Sequence, residues 1–72
     1  MASIADDILD ELYAEGVQGV DVIEEKNSSF ILQDNDLSYD NHDTIRDVIA
    51  DSRAEIWDEY EEGGTYYFEV RY

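Results

Sequence analysis

Five carboxylates recur at every fourth position through one segment of the chain. A helix here would align them on one face, because each four-residue step rises about 6 Å along the helix axis. The predicted row is about 24 Å long and contains no cation. Like charges at this spacing weaken a helix by roughly 0.2–0.5 kcal/mol per pair, so the pattern indicates that the charge itself is wanted. The row consists of Asp43, Asp47, Asp51, Glu55 and Glu59.

The chemistry open to such a row is electrostatic recognition. Duplex DNA carries one charge per roughly 1.7 Å of its axis, and DNA-binding proteins meet that array with Lys and Arg. A domain with carboxylates at comparable density would fit the same basic groove and needs no catalytic residue. We therefore predict a partner-binding surface made of the row and further acids, namely Asp7, Asp10, Glu11, Asp36, Asp40, Asp58 and Glu62.

Composition limits the class of protein. The 72 residues include 20 Asp and Glu against four Lys and Arg, which gives a formal net charge of −16. The 43% of hydrophobic residues, with six Tyr, two Phe and one Trp, is too apolar for a disordered acidic tail, so we expect one folded domain over residues 1–72. Cysteine is absent, which excludes disulfides and thiolate metal sites. The charge predicts binding to basic protein surfaces, with no direct binding of nucleic acid and no binding to membranes.

The first residues of the sequence lack the features of a secretory signal. The first seven residues, MASIADD, have neither the basic nor the apolar stretch of a secretory signal. No run approaches the roughly 18 apolar residues that a membrane-spanning helix needs. These features predict a cytoplasmic protein.

The first half of the chain reads as a helix followed by a hairpin. Apolar residues at helical spacing predict a helix over residues 3–15, with a cap at Ser3 and a stop at Gly16. Two β-branched and aromatic segments, 20–25 and 28–34, predict a hairpin. The polar stretch 34–43 predicts a loop.

The second half reads as a long helix and one strand. Apolar residues at spacings of three and four predict a helix over residues 43–62, ended by Gly63 and Gly64. Alternation over 65–72 predicts a half-buried strand, with Tyr66 and Phe68 on one face. The predicted order is αββαβ, an α+β domain with a three-stranded, mostly antiparallel sheet and two helices packed on one face.

Two simpler interpretations compete for the acidic residues. Charge runs commonly only solvate a protein surface. Extreme acidity, with Asp in excess of Glu and Arg in excess of Lys, also suits a protein that works in concentrated salt, where the screening length falls to about 3 Å. An ordered helical row exceeds what either interpretation requires.

The sequence contains neither a complete metal-binding motif nor a catalytic motif. Residues 34–43 place oxygens in a calcium-loop register, but Tyr39 and Ile45 stand where that register requires Gly and Glu. His42 has no second histidine beside it, so we expect it to cap a helix or lie in solvent. With 20 acids, paired carboxylates arise by chance, and no nucleophile motif is present. We expect no specific metal site, no cofactor and no catalytic residue. Weak nonspecific binding of divalent ions is expected, and a metal-ion binder is the third hypothesis for the function.

Aromatic residues receive separate predictions. Trp57 and Tyr60 lie on the apolar seam of the predicted second helix, so we expect them in the core. Arg53 precedes Trp57 by four residues, a spacing that permits a cation–π contact. Tyr67 lies on the strand face opposite Phe68, and an exposed Tyr among acids is a plausible protein-binding anchor.

The charge and the carboxylate row together resemble the DNA-mimic inhibitors that phages and mobile elements use against restriction enzymes and CRISPR–Cas complexes. The resemblance is to a functional class whose members have unrelated folds. It implies a non-enzymatic inhibitor, first an anti-CRISPR and alternatively an anti-restriction protein, that acts in the host cytoplasm by blocking nucleic-acid binding. The alternative from another class is an acidic halophilic or regulatory domain that binds a basic protein. Either could be a monomer, or a dimer formed through a sheet edge.

Overall fold

The computed structural model describes residues 4–35 and 39–72, with side chains for 4–35 and 41–72. The elements are α1 (Ile4–Ala14), β1 (Val20–Ile23), β2 (Ser29–Asp34), α2 (Tyr39–Asp51), β3 (Glu55–Glu62) and β4 (Thr65–Arg71). The predicted α+β class and the first hairpin are confirmed. The predicted helix start at Ser3 lies outside the described residues.

The sheet is antiparallel throughout and has four strands in the order β1-β2-β4-β3. The prediction of three strands is wrong by one strand. Residues that face each other across β2 and β4 alternate between a buried and a half-buried side, as the two-residue period of a strand requires. Phe30 pairs with Val70 and Leu32 with Phe68, and all four are buried.

The core lies between this face of the sheet and the two helices. Ile8 and Leu12 of α1 and Ile45 and Ile49 of α2 are almost fully buried in one cluster with the strand residues. The other face of the sheet, which we call the open face, points away from this core. The radius of gyration of the Cα atoms is 10.9 Å, the value of about 11 Å expected for a chain of this length.

Both helices end in the same hydrogen-bonded turn. After α1, the Val17 amide donates to the Leu12 carbonyl at 2.8 Å while Gly16 has φ +85°. After α2, the Ala54 amide donates to the Ile49 carbonyl at 3.2 Å, and Arg53, just before Ala54, has φ +62°. These are Schellman turns, in which the left-handed position normally belongs to glycine.

The second turn overturns the prediction of a long helix over residues 43–62. At the end of α2 the left-handed residue is Arg53, so the sequence contains no glycine to announce the stop. Buried Ala54 follows it, and the chain then runs into β3. The helical spacing of apolar residues beyond Ser52 is therefore coincidental, because those residues belong to a strand.

Gly63 and Gly64 form the tip of a hairpin and not a helix stop. Their φ angles of +59° and +82° are those of a two-residue type I′ turn, which suits the twist of antiparallel strands. Glu62 pairs directly with Thr65 across the turn. Farther along β3, the register shifts between Ile56 and Asp58, so Trp57 is the extra residue of a β-bulge.

Replacing Arg53 with Gly should stabilise the fold by about 1 kcal/mol, because glycine adopts the left-handed conformation without a Cβ clash. The Arg53→Ala variant is the matched control, since it removes the same charge but keeps a Cβ. Urea denaturation should show a higher midpoint for Arg53→Gly alone, with an unchanged slope. Equal midpoints for the two variants would mean that this backbone angle carries no strain.

Candidate functional site

The candidate site is a groove between the two helices. It has a volume of about 360 Å³ and is lined by four carboxylates, Glu11, Glu15, Asp47 and Asp51, together with Thr44, Val48 and Ser52. A second depression next to it adds Asp7 and Asp10 of α1. All six acids are exposed. We call this surface the acidic groove.

The carboxylates of the acidic groove are not balanced by nearby cations. All four Lys and Arg of the sequence belong to the part of the chain that the structure describes, and no ion pair there involves Glu11, Glu15, Asp47 or Asp51. Neither helix has a basic residue in its last turn. The groove therefore presents its carboxylates to solvent without an ion-pair partner among the described residues.

The placement of these acids costs stability. Glu11 lies in the last turn of α1, and Asp51 is the final residue of α2. The C-terminal end of a helix carries partial negative charge, so an anion there is unfavourable by about 0.3–1 kcal/mol. Asp47 and Asp51 also repel each other across one helical turn. A sequence that optimised folding alone would place Lys or Arg at these positions.

The predicted five-carboxylate row is wrong as a single helical face. Asp43, Asp47 and Asp51 lie on α2, and all three are exposed. Glu55 and Glu59 belong to β3, beyond the turn at Arg53. The row was also predicted to contain no cation, whereas the Arg46 Nη1 donates to Asp43 Oδ1 at 3.1 Å.

Glu59 serves the fold instead of an outer surface. It pairs with buried Phe68, so its side chain lies on the helix side of the sheet. Arg46 donates to it twice, from Nε at 3.1 Å and from Nη2 at 2.6 Å. The Tyr66 hydroxyl donates to Glu59 Oε1 at 2.9 Å. This two-point contact ties α2 to β3.

The same contact shifts ionisation. The hydrogen bonds from Arg46 hold the pKa of Glu59 below its usual 4.5, against the opposing effect of burial, and the bond from Tyr66 acts in the same direction. In turn, the pKa of Arg46 is raised by its bonds to Glu59. Burial raises the pKa of Tyr66, and its bond to Glu59 adds to that effect.

Replacing Glu59 with Gln should destabilise the protein at neutral pH by about 1–2 kcal/mol, because the two charge-assisted bonds from Arg46 are lost. A lowered folded-state pKa stabilises above pH 4.5, and this contribution disappears as the pH falls through the folded-state value. The stability difference between the wild type and Glu59→Gln should therefore vanish in acid. Urea titrations at several pH values measure it, and a pH-independent difference would contradict the assignment.

The remaining predicted site residues lie elsewhere. Asp58, Glu62 and Tyr67 are on the open face of the sheet, away from the acidic groove. Tyr67 is half-buried and stacks on Tyr60, with ring centres 5.0 Å apart. Asp36 lies outside the described residues. Asp40 belongs to α2, and its side chain lies outside the described part.

The expectations for His42 and the other aromatics are corrected. His42 does not lie in solvent: it is buried, with its Nε2 2.9 Å from Oδ2 of buried Asp34. Tyr66 and Phe68 pack against its ring, with ring centres 4.3 and 5.3 Å away. One signal in the sequence could have placed Asp34 in the core, since it continues the alternation of the core-facing residues Phe30 and Leu32 along β2. A pair with side chains 2–3% exposed is out of reach of a substrate.

Trp57 and Tyr60 are on the surface and not in the core. Trp57 is 59% exposed, because it is the bulge residue of β3. Its cation–π partner is Arg71 and not Arg53, with the guanidinium carbon 3.8 Å from the ring centre. Both errors follow from the wrong helix assignment of residues 52–62.

Comparisons with known proteins gave no relative: no family model, no curated protein and no solved structure matches the chain. Among the described residues, no cluster of three or more His, Asp or Glu side chains has a geometry that could hold a metal ion. None of the described helices combines the length and apolar character needed to cross a membrane.

Proposed function

We propose that this protein is a non-enzymatic DNA mimic that inhibits a nucleic-acid-binding host defence complex. The first target class is a CRISPR–Cas effector, whose binding of target DNA the protein blocks. A restriction enzyme is the second. The observation that carries the proposal is the acidic groove, where carboxylates of both helices lie together without an ion-pair partner in the described residues.

The contrast with the paired carboxylates supports this proposal. Where the fold uses an acid internally, it supplies a partner, as Arg46 does for Glu59 and His42 does for Asp34. The acids of the groove have exposed side chains and no such partner within residues 4–35 and 41–72. An external cation array that neutralises them on binding accounts for this difference.

The physics of association fits a competitor of DNA. With a net charge of −16, the protein is steered toward a positively charged channel, and its association rate should fall steeply as salt is added. Lys and Arg that line such a channel are placed for phosphates. Carboxylates that pair with these Lys and Arg side chains exclude the nucleic acid from the channel without any chemical step.

The test is competition for DNA. Purified CRISPR–Cas effectors of several types and a restriction enzyme are each loaded with a fluorescently labelled target duplex at physiological salt, and anisotropy reports the bound DNA. A DNA mimic should prevent at least one of these complexes from binding the labelled duplex when the protein and the complex are present in equal amounts. Excess unlabelled duplex should displace the protein from that complex. Loss of cleavage without loss of DNA binding would contradict mimicry, and unchanged DNA binding by every complex would contradict the function.

One observation favours the second function, an acidic halophilic or regulatory interaction domain. Exposed carboxylates also lie outside the acidic groove, at Glu24 and Glu25 after β1 and at Glu61 and Glu62 of β3. A protein adapted to concentrated salt spreads its acids in this way. Circular dichroism across a range of potassium chloride concentrations separates the two, because a halophilic domain folds only at molar salt whereas a DNA mimic folds at physiological salt.

A further inference from the structure

The open face of the sheet carries a second acidic and aromatic surface. The register places Asp58 of β3 directly opposite Glu69 of β4, and Tyr60 directly opposite Tyr67 in the next pair on the same face. The two tyrosine rings stack with their centres 5.0 Å apart and their planes at 24°. These four residues, which we call the open-face cluster, lie on the side of the sheet away from the helices and the acidic groove.

The open-face cluster contains an unfavourable pair. Side chains directly opposite each other in an antiparallel sheet have Cβ atoms about 4.5–5.5 Å apart, and like charges at such positions are destabilising. Asp58 is exposed, and Glu69 is half-buried. The carboxylate of Asp58 accepts only the neighbouring Glu59 amide, at 2.9 Å, among the described residues. Arg71 already pairs with Glu69, but no ion pair of the described residues reaches Asp58. A cation placed between the two carboxylates would relieve the repulsion that remains.

The chain itself shows which cation this face accepts. The guanidinium of Arg71 lies over the Trp57 ring, 3.8 Å from its centre, and its Nη2 lies 3.7 Å from Glu69 Oε1. A guanidinium thus combines a stacking contact with a carboxylate contact on the open face. The stacked tyrosines and Asp58 offer the same combination one row farther along the strands, to a cation from outside.

We propose that the open-face cluster binds an arginine side chain of the basic partner protein, with Asp58 and Glu69 contacting the guanidinium and Tyr60 and Tyr67 stacking on it. This inference rests on the proposed function for the class of partner only. Arginine fits better than lysine, because its planar guanidinium stacks on aromatic rings and meets carboxylates at two points. The acidic groove supplies charge, and the open-face cluster supplies a specific anchor.

Other occupants of the open face fit less well. A second copy of the chain would bring Asp58 and Glu69 against acids of the same sign, since the two surfaces of a symmetric dimer are identical. Nucleic acid would stack on the tyrosines but would be repelled by the same two carboxylates. The pKa of Tyr60 is raised by burial first and then by the charges of Glu69 and Glu24.

The test uses two peptides and residue-specific detection. A glycine-spaced arginine peptide and the same peptide with lysine at each arginine position are titrated into ¹⁵N-labelled protein. Binding of the arginine peptide should shift the amide resonances of β3 and β4 around the cluster and should be about tenfold tighter than binding of the lysine peptide. Equal affinities, or shifts confined to α1 and α2, would overturn the proposal.

Matched variants assign the effect to named side chains. Asp58→Asn, which keeps an acceptor for the Glu59 amide, should abolish the preference for arginine, whereas Asp21→Asn at an exposed position of β1 should retain it. Tyr60→Leu should weaken arginine binding about tenfold, whereas Tyr13→Leu on exposed α1 should not. If the control variants lose the preference equally, bulk charge or apolar area explains it and the cluster does not.

The result of the peptide titration can be distinguished from the result of the DNA-competition experiment. If the arginine peptide binds the open-face cluster but no defence complex loses its DNA, the proposed target class is wrong and the arginine site stands. If a defence complex is inhibited but Asp58→Asn binds both peptides and the complex as the wild type does, the mimic function stands and the arginine site is wrong.

Discussion

Replacing Asp34 with Ala should destabilise the protein by about 3–5 kcal/mol and leave much of it unfolded. The change removes the carboxylate that lies 2.9 Å from buried His42, and the loss of one member of a buried pair is far costlier than the pair itself is stabilising. A chain of 72 residues has only about 4–11 kcal/mol of stability to lose. Urea denaturation followed by Trp57 fluorescence and by circular dichroism measures the loss.

Two further variants make this expectation specific. Asp21→Ala removes an exposed aspartate from the neighbouring strand and should change stability by less than about 0.5 kcal/mol. The double variant Asp34→Leu, His42→Leu should be more stable than either single alanine variant, since it removes both members of the buried pair together. If Asp34→Ala matches Asp21→Ala, the buried pair contributes nothing to the fold.

Neutralising the acidic groove should raise stability and lower inhibition together. The triple variant Glu11→Gln, Asp47→Asn, Asp51→Asn removes anions at the C-terminal ends of both helices and one repulsive pair, which should stabilise the fold by about 1–2 kcal/mol. The same change should weaken inhibition roughly 10- to 100-fold, mainly through slower association. Thermal denaturation and the DNA-competition assay measure the two effects.

The matched control removes the same charge from other places. Glu24→Gln, Glu55→Gln and Glu62→Gln are exposed changes outside both the acidic groove and the open-face cluster. This control has the same net charge as the groove variant, so a loss of inhibition confined to the groove variant identifies the surface. Equal loss in both variants would show that only total charge matters, and no loss in either would refute electrostatic mimicry.

The elements that the sequence predicted correctly are those with local stop signals. Gly16 ends α1 as expected, and the alternation from Thr65 to Arg71 places Phe68 and Val70 in the core. The boundary between α2 and β3 was missed because a Schellman turn with Arg53 at the left-handed position has no sequence signature. The pair Gly63 and Gly64 could either end a helix or form the turn of a hairpin. The hairpin turn is recognised only when the residues on both sides of the pair are known to form strands.

The sequence predicted the exposure of part of the candidate site but not its geometry. Exposure of Asp7, Asp10 and Glu11 follows from the helical period of α1 alone. The acidic groove requires knowing that α1 packs beside α2, which periodicity does not reveal. The role of Glu59 was missed because its partner Arg46 is close only in the folded chain.

Because Trp57 is the extra residue of a β-bulge, the exposed surface of β3 can change while the pairing of β3 with β4 stays the same. Ile56 pairs with Val70 and Asp58 with Glu69 on either side of the extra residue, so removal of Trp57 restores an unbroken ladder with the same partners. Deleting the Trp57 codon would therefore remove a large aromatic side chain from the open face, and regaining that codon would restore it. Neither change would refold the core. In evolutionary terms, this strand can change what it presents to a partner while every buried residue keeps its neighbours.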